Sequence, residues 1–340
     1  MTIRYSTVAL LLLVLLFSAA CERQVPLVTT IKDVTIAPKG FPEIPFPEEN
    51  PYSKAKWELG KKLFYDKALS VDHSISCASC HKVANAFSDN IAKSFGAGNA
   101  AGTRNAPTLA NVAYHPYYTR EGGLPTLEMQ ILVPIQEHNE FNYNIIDIAE
   151  RLNQIPEYVA ESKAVFNRVP DAYVITRALA TFERTIVSGN SQYDRYTNGN
   201  DRAITAAAKR GMTLFFSDKT NCSSCHSGFN FTSYGFENNG LYKDYPDNGR
   251  ERLTGKVEDR ARFKVPTLRN IAVTAPYMHD GSIATLEAVV QHYNSGGVVH
   301  PNKNTIIRPL GLTKEEQADL VAFLRSLTDD EFITNQSFQE

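Results

Sequence analysis

Tryptophan and cysteine are scarce in this 340-residue chain, which has one Trp and five Cys. Five cysteines are too few for a fold stapled throughout by disulfides. Neither sign of charge dominates: 35 Lys+Arg stand against 37 Asp+Glu, a formal net charge of −2. With the two signs interspersed, that balance argues against a general nucleic-acid surface. Long apolar runs are missing apart from Val8–Phe17, which is too short to span a bilayer. Charged residues at 21% and aromatics at 10% are those of a folded chain, not a disordered one. At roughly 150 residues per domain the length suggests about two domains, each able to bury a core.

The run that is present lies behind Arg4 and is followed by Ser18-Ala19-Ala20-Cys21. A positive start, a short apolar stretch and small residues are the pattern of a secretory signal, assigned to residues 1–20. Cys21 stands where a bacterial lipoprotein accepts its lipid, so a lipid anchor at Cys21 is expected. Residues 21–50 read as a Pro-rich tether, with prolines at 38, 42, 45 and 47 and a further one, Pro51, directly after it.

The other four cysteines repeat one pattern, Cys77-Ala78-Ser79-Cys80-His81 and Cys222-Ser223-Ser224-Cys225-His226. Two thiols three positions apart can form thioethers to the two vinyl groups of one haem, and the adjacent His can meet the iron. Chance would give such a motif roughly 0.002 times in a chain of this composition. Zinc sites keep their CxxC pairs about 15–20 residues apart, and disulfides would leave the two His unexplained. Two covalent c-type haems follow as an expectation, and such attachment takes place outside the bacterial cytoplasm, so the periplasm is the expected location.

The halves repeat beyond the haem motif. Gly60-Lys61-Lys62-Leu63-Phe64 is answered by Gly211-Met212-Thr213-Leu214-Phe215, and Pro107-Thr108-Leu109-Ala110-Asn111 by Pro266-Thr267-Leu268-Arg269-Asn270. Thr126-Leu127-Glu128 is answered by Thr285-Leu286-Glu287. The predicted fold is mainly α: two tandem cytochrome-c-like haem domains related by internal duplication, 51–190 and 191–330, with a tail at 331–340. Periodicity predicts helices over 54–64, 171–188 and 203–216. A capping box, Thr313 with Glu316, starts the last one.

Paired CxxCH domains with these flanking motifs resemble the bacterial dihaem cytochrome c peroxidase / MauG family over roughly residues 50–328. The resemblance rests most on Arg104-Asn105-Ala106-Pro107-Thr108-Leu109, Leu127-Glu128-Met129-Gln130 and Ala275-Pro276-Tyr277-Met278-His279-Asp280-Gly281. It implies that the N-terminal haem reacts with H2O2, that the C-terminal haem stores or relays electrons, and that one Ca2+ lies between them. Residue by residue it implies Gln130 and Glu140 as the catalytic pair, with Glu140 the proton carrier. It implies His81 and His226 as proximal iron ligands, and Asn105, Thr274 and Pro276 as calcium ligands.

Three positions depart from the family's peroxidases. Ala97 stands where those needing reductive activation carry a His, so the N-terminal haem is expected to be open without activation. Tyr293 stands where they carry a distal Met at the C-terminal haem, as in MauG-type members, with Met278 as the alternative ligand. Arg120 replaces the Trp usual between the haems, so electron exchange between them is expected to use Tyr117 or Tyr118, or to need no bridging residue. His73, His115, His138, His292 and His300 are read mostly as surface residues.

Three functions fit these residues. The favoured one is MauG-like: peroxide builds a high-valent dihaem state that oxidises a Trp or Tyr on a partner protein. The second is a cytochrome c peroxidase drawing electrons from a small cytochrome or cupredoxin. The third is a dihaem electron carrier without catalysis, for which Gln130 and Glu140 would be superfluous.

Overall fold

The computed structural model describes residues 34–340. The expected signal segment and Cys21 lie outside them. Among the described residues no helix is long and apolar enough to cross a membrane.

Each half is built on a crossing of two helices. Lys54–Tyr65 crosses Ala172–Arg184, and Ala206–Phe215 crosses Lys314–Arg325. The duplicated glycine explains the closeness of both crossings. A Cβ on Gly60 would stand 1.9 Å from the Ala178 carbonyl oxygen, and one on Gly211 would stand 1.9 Å from that of Asp319. Only a bare Cα lets the two backbones approach this far. Gly211→Ala is expected to push the helices apart and cost roughly 1–3 kcal/mol. Thermal unfolding of the haem-loaded protein, measured as a lowered Tm, checks this.

The remaining repeats are also structural. The Thr108 and Thr267 hydroxyls donate to Ala86 O and Asn230 O at 2.5 and 2.6 Å. Asn111 and Asn270 take left-handed backbone angles, φ 63 and 59, each opening a short 3-10 turn. Thr126 and Thr285 cap helices Leu127–Gln130 and Leu286–Ser295. The two asparagines then meet at the chain joining the halves. Asn111 donates to Ser188 O at 3.0 Å, and Asn270 to the Ser188 hydroxyl at 2.9 Å. Where the repeat departs, at Arg269 against Ala110, a fully buried ion pair appears: Arg269 grips Asp194 through two bonds of 2.8 and 2.9 Å.

The helices form much as the periodicity predicts, including the Thr313–Glu316 box, whose reciprocal bonds measure 3.2 and 2.8 Å. The helix expected over 171–188 ends at Arg184. Among the described residues, sheet is confined to Phe236–Glu237 antiparallel to Phe263–Lys264. Residues 331–340, read as a tail, fold onto the N-terminal half. Phe332 and Phe338 are buried there, their rings 5.8 and 5.6 Å from that of Phe87. The described end of the tether is likewise anchored: Asn50 is fully buried and donates to Glu128 Oε1 at 2.9 Å.

Candidate haem centres and peroxide pocket

The two CxxCH segments form matching single-turn helices, Cys77–Cys80 and Cys222–Cys225, with the His at each C-terminal end. His81 Nδ1 lies 2.7 Å from Phe87 O, and His226 Nδ1 lies 3.0 Å from Phe231 O. A ring nitrogen facing a carbonyl must carry the proton, which leaves Nε2 with its lone pair free to bind metal. Burial pushes the pKa of both imidazoles down, keeping them neutral. The accepting carbonyls are aimed by Phe87 and Phe231, both at positive φ. All four thiols are free, as thioether formation requires.

A cavity in the N-terminal half is lined by Cys77, Cys80, His81, Gln130, Pro134, Glu140 and Glu183. Gln130 Oε1 is buried in it with no protein partner. Glu128, two residues earlier, pairs with Arg184 through bonds of 2.7 and 2.9 Å and so fixes the turn that carries Gln130. Glu140 is exposed, and the space it reaches is this cavity. Protein crowding its carboxyl pushes its pKa up to about 7, with the nearby Glu137 carboxylate adding to the rise. The 95–101 loop braces it: Ala97 N donates to Glu140 O at 2.8 Å. Ala97 itself is buried. The orphaned amide oxygen, the acid and the prepared imidazole all fit a haem with a reactive distal face.

Sequence reasoning missed Glu183. It is buried, lines the same cavity, and burial pushes its pKa up to about 8. The signal was present: Glu183 falls four residues after Leu179, on a helix face otherwise apolar.

In the C-terminal half, helix Leu286–Ser295 carries Tyr293. Its phenol lies within electrostatic range of the Cys222 and Cys225 sulfurs, on the side of the second haem motif. Burial pushes its pKa up, and a hydrogen bond from the Asn239 side chain pulls it back. The same Asn239 Nδ2 lies 3.2 Å from Met278 Sδ. The two candidate distal ligands therefore share one neighbour. The repeat places Pro134, which has no donor atom, at the equivalent N-terminal position.

Between the halves, Asn105 is buried. Its Nδ2 donates to Ile91 O at 3.1 Å, and its backbone N–H to His279 O at 2.9 Å, which ties it to the Pro276–Asp280 loop. Arg120 donates to Asn105 O at 2.7 Å. Tyr117 stacks on Phe236 with ring centres 5.1 Å apart. His115 is not a surface residue: its ring lies between Tyr118 and Tyr234, and Nδ1 is 3.3 Å from Lys264 Nζ. His292 is half-buried and donates to Asn239 O at 3.1 Å.

A family model for di-haem cytochrome c peroxidase matches residues 54–202, and one for cytochrome c matches residues 208–328. The methylamine utilization protein MauG of Methylorubrum extorquens is 38% identical over 288 residues, 84% of this chain and 81% of that protein. The cytochrome-c peroxidase IdrP1 of Denitromonas iodatirespirans is 35% identical, over 87% of this chain and 88% of its own. The crystal structure of a MauG-like protein associated with microbial copper homeostasis superposes with a TM-score of 0.85 at 35% identity, covering 89% of this chain and 97% of that one. The chain belongs to the di-haem cytochrome c peroxidase/MauG family of oxidoreductases and has the fold of two tandem c-type haem domains.

Proposed function

We propose that this chain is an exported peroxide-dependent oxidase that withdraws electrons from a Trp or Tyr of a partner protein. Cys77, Cys80 and His81 hold one haem, and Cys222, Cys225, His226 and Tyr293 the other. When bound, these groups supply the iron at which peroxide is cleaved and a place to keep its two oxidising equivalents. The chain's own contribution is proton handling. Gln130 orients peroxide by hydrogen bonding. Glu140 takes the proton of the inner oxygen and returns it to the outer one, so that water leaves. A phenol at position 293 of helix Leu286–Ser295, where the repeat gives the N-terminal half Pro134, is the observation that carries this reading over an ordinary peroxidase. A hard oxygen donor favours oxidised iron, whereas Met favours reduced iron.

Met278 in the same cluster keeps the second reading, a peroxidase fed by a small cytochrome or cupredoxin, open to test. The fully oxidised protein is expected to react with peroxide at once, since Ala97 has no group that could block the iron. Stopped-flow spectra that change only after prior one-electron reduction would overturn this.

The Asn105 Oδ1 accepts no hydrogen bond from a described residue, and its amide nitrogen is held away by Ile91 O. That leaves an oxygen suited to Ca2+, with the Thr274 and Pro276 carbonyls as partners. Metal analysis after dialysis is expected to find one calcium per chain, lost in Asn105→Ala; an unchanged content in that variant would remove the site. The signal-like N-terminus supports export and a lipid anchor at Cys21, and labelling with a radioactive fatty acid tests the latter.

A further inference from the structure

We propose that Glu183 is a second acid of the peroxide site, supplying the protons with which the last oxygen atom of peroxide leaves as water. This role rests on the reading of the N-terminal haem as the place where peroxide reacts.

The internal repeat singles the residue out. Leu179-Ala180-Thr181-Phe182-Glu183-Arg184 is answered by Leu320-Val321-Ala322-Phe323-Leu324-Arg325. The glycine crossings fix this alignment: Gly60 meets Ala178 and Gly211 meets Asp319, each the residue just before its Leu. Leu179 and Leu320 are buried alike, as are Phe182 and Phe323. At the next position the C-terminal half buries Leu324, and the N-terminal half buries the Glu183 carboxyl. The acid therefore belongs to the half with the proposed peroxide cavity, and Glu183 lines that cavity with Gln130 and Glu140. Its carboxyl makes no hydrogen bond or ion pair with a described residue. Arg184, next on the helix, is taken up by Glu128 through bonds of 2.7 and 2.9 Å. The other titratable neighbours, Cys77 and Tyr118, are pushed up by burial and stay uncharged. A buried carboxyl without a partner costs stability, so packing alone favours leucine here.

The proton balance gives the acid its task. Cleavage of H2O2 uses only the two protons that peroxide carries, one of them moved by Glu140, and releases one water. The other oxygen leaves as water after two electrons and two protons arrive, so that H2O2 + 2e− + 2H+ gives 2H2O. The partner protein gives the electrons and is oxidised. The protons come from Glu183, one with each electron. Its O–H bond breaks, an O–H bond of water forms, and solvent returns a proton to the carboxylate. Glu140 cannot hold both posts, because cleavage needs it deprotonated and a donor must be protonated. The surroundings separate the two acids: burial pushes Glu183 up to about 8, above the value of about 7 at Glu140.

The experiment oxidises the haem-loaded protein with one equivalent of peroxide and then adds a small-molecule reductant. In Glu183→Gln the return to the ferric state is expected to slow by at least roughly 10²-fold, whereas Glu140→Gln slows the preceding cleavage. In wild type the return should slow as pH rises through about 8, where Glu183 loses its proton. Glu183→Gln should lose that dependence and Glu183→Asp should keep it. Infrared difference spectra of ferrous minus ferric protein, recorded without peroxide, should contain a protonated-carboxyl band that shifts in 2H2O and is missing in Glu183→Gln. Glu183→Leu copies Leu324 and covers the case in which the amide variant folds poorly; it should match or exceed the wild-type Tm and show the same slow return. A return rate unchanged in both variants, or a carboxyl band that survives in them, would overturn the proton-supply role. A wild type that does not react with peroxide would instead overturn the peroxide reading, and this role with it.

Discussion

Glu140→Gln is expected to slow peroxide cleavage by roughly 10²–10⁴-fold while leaving peroxide able to bind. The amide keeps the size and the hydrogen-bonding capacity of the acid but cannot carry a proton. Cleavage needs a proton removed from one oxygen and delivered to the other, so the first event requires Glu140 as carboxylate. Its pKa lies at about 7, raised from the ordinary carboxylate value by crowding and by Glu137. The sign follows. Below pH 7 the group is mostly protonated and cannot accept, so the wild-type rate should rise with pH through about 7 and level off above it. In Glu140→Gln that inflection should vanish. Single-turnover mixing with excess peroxide, followed by absorbance at several pH values, reads both effects. An unimpaired variant, or one with the inflection intact, would remove Glu140 from proton transfer and turn attention to Glu183, the other acid lining the cavity.

How much of this was legible beforehand depended on the range of the physics involved. The CxxCH motifs were legible because covalent chemistry fixes their spacing within five residues. The duplication was legible because each repeated residue has a local task that only its type performs. Gly60 and Gly211 admit a neighbouring backbone, and Asn111 and Asn270 adopt positive φ. Gln130 and Glu140 were found only through family resemblance, since ten residues of separation mean nothing without the loop that braces Ala97 against Glu140. What stayed hidden depends on contacts distant in sequence. Phe338 reaches Phe87 from the far end of the chain, and a tail of mixed polarity gives no sign of it. Asn239 lies in a loop rich in Asn and Gly, and nothing local shows that its amide reaches Met278. His115 looked like a surface histidine because nothing local shows that Tyr118 and Tyr234 enclose it.

Tyr293→Met is expected to raise the reduction potential of the C-terminal haem and to reduce oxidation of the partner protein to background. The ligand's charge and hardness decide the direction. Phenolate donates negative charge to iron and stabilises its higher oxidation states; a neutral thioether stabilises the ferrous state. Axial-ligand identity moves haem potentials over a range of about 0.8 V, so a rise on the order of 0.1 V or more is expected. The fold should survive, because His226 stays bonded to Phe231 O and the Cys222–Cys225 turn is untouched. Position 293 is also the point at which the two halves differ most usefully. On the proposed reading, Pro134 leaves that side of the N-terminal haem to peroxide, while Tyr293 in the C-terminal half supplies a donor that excludes it. Peroxide consumption with an added small-molecule reductant should therefore persist in Tyr293→Met even as partner oxidation disappears. Spectroelectrochemical titration resolves the two haems and gives the potential; mass spectrometry of a partner's Trp and Tyr residues gives the second readout. Equal partner oxidation in wild type and variant would show that the C-terminal haem need not hold an oxidising equivalent, and the ordinary peroxidase reading would take its place.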